Sequence, residues 1–143
     1  MSGELNERRS DTRDEVKFYM TKDIVSVSNK ASATEAAQTM LDTGRGSLLV
    51  ERDGEYVGIV TEGDLSKRVI AEIKKPIEVQ VESIMSHPVV SIESNKLMVA
   101  AFLTMEQIGI RHIAVRENDK IVGMLSIRNF STYYVRKFSK RYK

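Results

Sequence analysis

Thr61-Glu62-Gly63-Asp64 and Ser126-Ile127-Arg128-Asn129 each set a hydroxyl three residues ahead of a carboxylate or its amide, directly after an apolar run. Two kinds of chemistry suit that spacing. At a strand-to-helix turn the hydroxyl accepts an orphan backbone N–H and the acidic partner sits favourably in the first helical turn, which is a cap. The same turn can bind a ligand: free N–H groups at a helix start suit a phosphate, and a carboxylate held in place suits the paired hydroxyls of a ribose. One copy alone reads as a cap. A second copy at the same point of a repeated unit keeps the binding reading open.

The elements that position these residues recur with them. Residues 16–65 overlay 81–130 at a constant offset of 65 without a gap, and eleven of those fifty pairs are identical, where background residue usage gives roughly three. The identities include Val16/Val81, Met20/Met85, Ala36/Ala101, Met40/Met105, Gly44/Gly109, Val50/Val115 and Gly58/Gly123, mostly core and turn positions, so the chain is a structural duplication. Within the first copy a short amphipathic turn, Val16 to Met20, precedes an extended Ile24–Val27. The stripe Ala33, Ala36, Ala37, Met40, Leu41 then predicts a helix buried on one face and closed by Gly44. Strands at Ser47–Glu51 and Tyr56–Val60 flank Asp53-Gly54, a hairpin signal, and their continuous apolar runs predict cover on both faces. A helix from about Glu62 to Ile73 completes a β-α-β-β-α order, and in the second copy the stripe Met98, Ala101, Phe102, Met105 matches Ala33, Ala36, Ala37, Met40 position for position. The expected organisation is a flexible tail over 1–12, a first repeat over 13–75, a linker over 76–80, a second repeat over 81–135 and a basic tail over 136–143. A three-stranded unit leaves one apolar face bare, so the expected fold is α+β: two repeats related by a pseudo-two-fold and packed sheet to sheet, with clefts where they meet.

Bulk properties bound the function. The chain has 143 residues, 41% of them hydrophobic, with 22 basic and 20 acidic side chains, so no overall field argues for nucleic acid or an anionic membrane. It has no cysteine, which excludes disulfides and thiolate metal sites and agrees with a cytoplasmic protein. The sequence has no apolar run of membrane-spanning length, and Glu4, Glu7, Arg8, Arg9, Asp11 and Arg13 leave no room for a signal-peptide core. His87 and His112, 25 residues apart, lack metal-ligand spacing, and no catalytic triad can be assembled. Met40, Met98, Met105 and Met124 read as core filler.

The doubled Met-Thr/Ser opening (Met20-Thr21, Met85-Ser86), the segment His87-Pro88-Val89-Val90, the Ala-rich helix ending at Gly44 or Gly109, and Gly-x-x-Thr/Ser-x-x-Asp/Asn together resemble a tandem CBS domain, or Bateman module, over about residues 12–135. The resemblance implies a non-catalytic regulatory sensor of AMP, ADP, ATP or S-adenosylmethionine bound in the clefts, with no cofactor required. It also implies a homodimer formed through helices and read by a downstream protein. Carried onto this sequence, the first site comprises Lys22, Asp23, Ile24, Val25, Gly46, Ser47, Thr61 and Asp64, with the stretch Lys22–Val25 offering an adenine slot. Asp23 departs from the pattern, standing where the second repeat has Pro88, and Glu62 argues against highly charged ligands there. The second site comprises His87, Pro88, Val89, Val90, Arg111, His112, Ser126, Arg128 and Asn129. With Asn129 in place of the acid it is expected to favour phosphate and grip ribose weakly.

Two rival readings remain. A ligand-free dimerisation scaffold would use Thr61-x-x-Asp64 only as a cap. Alternatively, the C-terminal run, with Phe130, Tyr134, Phe138 and Tyr142 every four residues and Arg136, Lys137, Lys140, Arg141 and Lys143 as its cations, could pack on a partner subunit or contact nucleic acid.

Overall fold

A computed structural model describes residues 13–139; the expected N-terminal tail and Lys140, Arg141, Tyr142 and Lys143 lie outside them. Each repeat forms one three-stranded sheet. In the first, β1 (Ser26–Ser28) runs parallel to β2 (Ser47–Arg52), and β2 pairs antiparallel with β3 (Glu55–Thr61), in the order β1-β2-β3. The second repeats this with β4 (Ser91–Glu93), β5 (His112–Glu117) and β6 (Lys120–Ser126). Both hairpins carry a register shift at the same place, between Val50 and Glu51 and between Val115 and Arg116, so the offset read from sequence holds down to the irregularities. The α+β class with two β-α-β-β-α repeats is therefore as expected.

Local chemistry explains the elements. Ser32 caps α1 (Ala33–Thr43) in a reciprocal capping box with Glu35, and Gly44 ends it in the left-handed conformation at φ 67°. Gly109 does the same for α3 (Met98–Ile108) at φ 78°. The first hairpin turns on Asp53 and Gly54, both at positive φ, as a two-residue connection requires. Leu48, Leu49 and Val50 are fully buried, as are Ile113, Ala114 and Val115, so the middle strands are covered on both faces.

The compact units do not follow the repeats. Among the described residues, one gathers 13–22 with 91–139; the other is Asp23–Val90. The segment that leads into each repeat is thus built into the opposite unit. In the Asp23–Val90 unit, Ile59 and Ser86 exchange backbone hydrogen bonds of 2.9 Å each. In the other unit, Thr21 and Met124 do the same at 2.8 and 3.0 Å. Gly58 and Gly123 permit these crossings, because a Cβ at Gly58 would stand 2.7 Å from the Ser86 carbonyl oxygen and one at Gly123 2.8 Å from that of Thr21. The expected linker 76–80 is tied down as well: Ala33 donates to the Val79 carbonyl and Val81 to that of Ala31, both at 2.8 Å.

Three expectations need correction. The α1 stripe is narrower than its pattern: Ala33, Ala36 and Met40 are buried, but Ala37 is exposed and Leu41 is 82% exposed, because one row of side chains suffices to cover a sheet of three strands. The first strand begins two residues later than expected, with Ile24 and Val25 as its lead-in. The helix after β3 is regular only over α2 (Glu62–Leu65); it then widens into a π turn over Ser66–Ile70, where Ala71 donates to Ser66 O at 2.9 Å, and ends at Ile73 with φ 57°. Its counterpart α4 (Ile127–Ser139) is regular throughout and continues past residue 136.

Candidate functional site

In the Asp23–Val90 unit, strand pairing collects the first group of residues at one end of the sheet. Ser47 lies opposite Thr61, Glu62 N–H donates to Gly46 O at 3.0 Å, and Leu49 N–H donates to Val25 O at 3.1 Å. Ile24, Val25, Gly46, Ser47, Thr61 and Asp64 therefore gather there, with the exposed Asp23 next in the chain. Lys22 belongs to the other unit.

Thr61 and Asp64 form a full capping box. Asp64 N–H donates to Thr61 Oγ1 at 3.2 Å, and Asp64 Oδ2 accepts from Thr61 N–H at 2.8 Å and from the Thr61 hydroxyl at 3.1 Å. These bonds engage one carboxylate oxygen. The other, Oδ1, has Arg68 Nε at 3.7 Å, and the side chain is only 12% exposed. Arg68 also donates to Ile84 O at 3.2 Å, which fixes the guanidinium from a second side. The result is a positioned acceptor, Oδ1, with a cation behind it. The helix N–H groups offer less than expected, since those of Glu62 and Asp64 already have protein acceptors.

The second turn repeats two of these three bonds and has a different remainder. Asn129 Oδ1 accepts from Ser126 N–H at 2.7 Å and from the Ser126 hydroxyl at 3.2 Å. Because a backbone N–H needs an acceptor, the amide oxygen is the atom committed to the cap, and the Asn129 NH2 is left to face outward. That group donates and cannot accept. His112 lies half-buried opposite Ser126 at the start of β5, Arg111 accepts from Ile127 N–H at 3.1 Å through its carbonyl, and the Arg111 and Arg128 side chains are exposed. His87, Pro88, Val89 and Val90 fall in the Asp23–Val90 unit, with a cis bond between His87 and Pro88.

Two features escaped the sequence. Arg68, four residues beyond Asp64, was readable as an i,i+4 pair. The cluster of Asp14, Tyr133 and Lys137 gave no local signal: the Tyr133 hydroxyl donates to Asp14 Oδ1 at 2.7 Å, and Lys137 Nζ reaches Tyr133 Oη at 3.0 Å and Asp14 Oδ1 at 3.3 Å. Burial raises the Tyr133 pKa, and the bond to Tyr133 raises that of Lys137. Lys137 is thereby a structural cation. Of the aromatic run, Phe130 is buried while Tyr134 and Phe138 stack on each other at 5.9 Å on the exposed side. Among the described residues no group of acidic or histidine side chains could hold a metal ion, and no helix is long and apolar enough to cross a membrane.

A family profile described as CBS domain matches residues 14–71 and again 81–136. The chain is 34% identical over 118 residues to the uncharacterised protein YlbB of Bacillus subtilis, covering 81% of this chain and 79% of that one. It is also 34% identical over 111 residues to the uncharacterised protein MK0525 of Methanopyrus kandleri, of which it spans only 56%. Among solved structures, that of an uncharacterised conserved protein from Pyrococcus horikoshii aligns with TM-score 0.80 and 31% identity, covering 87% of this chain and 94% of the other. The CBS domain pair of MJ0100, solved in complex with 5′-methylthioadenosine and S-adenosyl-L-methionine, shares the fold with TM-score 0.76 at 23% identity, over 86% and 97% of the two chains.

Proposed function

Because the chain belongs to the CBS-domain family and carries two copies of the domain, we propose that it is a regulatory module that binds an adenosine-type ligand, AMP, ADP, ATP or S-adenosylmethionine, and does no chemistry itself. The observation that carries this reading is Asp64: its capping bonds leave Oδ1 in place, little exposed and backed by Arg68. A ribose diol needs such an acceptor, and a carboxylate makes hydrogen bonds about twice as strong as a neutral group does. Ile24 and Val25 supply an apolar edge for the base. Ligand binding then shifts an equilibrium read by another protein, which requires different affinities for two states of the module. The exposed Leu41 of α1 and Val99 and Leu103 of α3 fit self-association into a homodimer.

Calorimetric titration with the four ligands tests the proposal, with Asp64→Asn as the deciding variant. Asn at 64 keeps the capping oxygen, as Asn129 does, and removes only the charge and the second acceptor. The expected result is an intact fold with affinity reduced about tenfold or more, or about 1.4 kcal/mol. No response in the parent protein to any of the four ligands would leave the turn a cap and the module a scaffold.

A further inference from the structure

At the far end of the same sheet, away from Thr61 and Asp64, the two repeats differ in a way that duplication makes readable. In the second repeat Arg116 lies beside Glu93 in the β4–β5 register, donates through Nε to Glu93 Oε1 at 3.0 Å and through Nη1 to Ser91 Oγ at 2.6 Å. Its guanidinium lies over β4, held by two of that strand's side chains. Subtracting the offset of 65, the corresponding residues are Glu51, Ser28 and Ser26, and Glu51 indeed pairs with Ser28 in the β1–β2 register. Side chains two apart on a strand share a face, so Ser26, Ser28 and Glu51 present the same surface as Ser91, Glu93 and Arg116. The guanidinium is missing there and a carboxylate stands in its place. What remains is a hollow of ≈ 540 Å³ lined by Ser26, Val27, Ser28, Asn29, Lys30, Glu51 and Asp53.

The lining is chemically specific. It holds two hydroxyls, two carboxylates and one lysine, a net charge of about −1. Asn29, the buried polar residue at its floor, is fixed by its own bonds: its side-chain amide donates to Glu82 Oε2 at 2.8 Å and its N–H to Glu51 O at 2.9 Å. Ser28 Oγ accepts from Lys30 N–H at 3.2 Å, which orients its hydroxyl hydrogen elsewhere. A planar cation with several donors matches this set, for the same reason that a guanidinium satisfies the carboxylate and hydroxyl in the other repeat. The size is that of a small-molecule site, larger than one side chain requires.

We propose that the hollow beside Glu51 binds a guanidinium group brought by a ligand, paired with the Glu51 carboxylate and the serine hydroxyls of β1. Lys30 gives the lining one positive charge, which favours a ligand that also carries a carboxylate, as free arginine does. An arginine within a partner protein offers the guanidinium alone.

The test is an amide chemical-shift titration of the full chain with three probes: L-arginine, agmatine and N-acetyl-arginine amide. The expected result is saturable shifts confined to residues 26–30 and 51–53, with a Kd on the order of 1 mM. Stronger binding of L-arginine than of agmatine, abolished by Lys30→Met, marks the amino acid as the source; equal binding by all three marks a protein arginine. Glu51→Gln should weaken binding about tenfold or more. The double variant Ser28→Glu with Glu51→Arg transplants the other repeat's arrangement, and it should stay folded and lose the shifts. The proposal is overturned by shifts that do not saturate, by binding that survives Glu51→Gln, or by equal binding of the neutral isostere N-acetyl-citrulline amide.

Discussion

Two turns of one duplicated sequence share two hydrogen bonds and leave opposite atoms over. Thr61 with Asp64 and Ser126 with Asn129 both close the start of a helix through a backbone N–H bond of 2.7 to 2.8 Å to the residue three ahead. After that bond is made, the first turn retains a carboxylate oxygen and the second retains an NH2. The residues one turn further on diverge in step. Arg68 reaches back to Asp64 and to Ile84 O, whereas its counterpart Tyr133 bonds to Asp14 and packs edge-on against Tyr19, the counterpart of Ile84, at 5.0 Å. The lesson is that duplication preserves the bonds that hold the backbone, while the atoms left over are free to change role.

The largest expected effect tests what the copies share. Gly58→Ala and Gly123→Ala each drive a Cβ against a backbone carbonyl of the crossing segment, so each should lower stability by about 1–3 kcal/mol, measured by urea unfolding. A large loss at one glycine only would break the equivalence of the two crossings. Next comes what they do not share. Asn129→Asp keeps the capping oxygen and adds the missing acceptor, so it should give the second turn a nucleotide response, tightening binding there about tenfold, or about 1.4 kcal/mol. If the substitution leaves titrations unchanged, the carboxylate alone does not make the site, and Arg68 or the lead-in residues Ile24 and Val25 must be part of it.

Much of this was legible in the sequence because duplication lets the chain serve as its own alignment. The offset located the strands, both helix-ending glycines and the two turns, and Gly58/Gly123 stood out before any reason for a glycine was visible. The stripe on α1 misled, since Leu41 has the spacing of a core residue while the small sheet has no room to cover it. The π turn at Ser66–Ile70 also left no mark in the pattern, because helix periodicity does not register one extra residue in a turn. The pairing of Asp14 with Tyr133 joins residues 119 positions apart and depends on which unit the N-terminal segment enters, which no local signal encodes.

A smaller effect separates capping from binding. Thr61→Ala removes the hydroxyl that accepts from Asp64 N–H and should lower stability by about 1 kcal/mol in the same unfolding assay, whereas Ser126→Ala removes a hydroxyl that only donates to Asn129 Oδ1 and should cost less. A drop in nucleotide affinity for the Thr61 variant alone would assign the ligand to the first turn, and no drop for either would leave both turns to the helix starts.

The smallest effect is one of pH, and it belongs to the second copy alone. Tyr133 and Lys137 have pKa values raised from 10.0 and 10.5, the first mainly by burial and the second mainly by the bond to Tyr133. Both hold their protons more tightly when folded, so their contribution is complete below pH about 10 and is lost as pH rises through the unfolded values toward the folded ones. Urea midpoints at pH 8 and pH 11 should therefore fall further in the parent protein than in Tyr133→Phe, which lacks both the phenol and the bond that raises Lys137. Equal falls would mean that the alkaline sensitivity arises elsewhere, and the Asp14–Tyr133–Lys137 cluster would then be holding α4 by packing against Tyr19 rather than by charge.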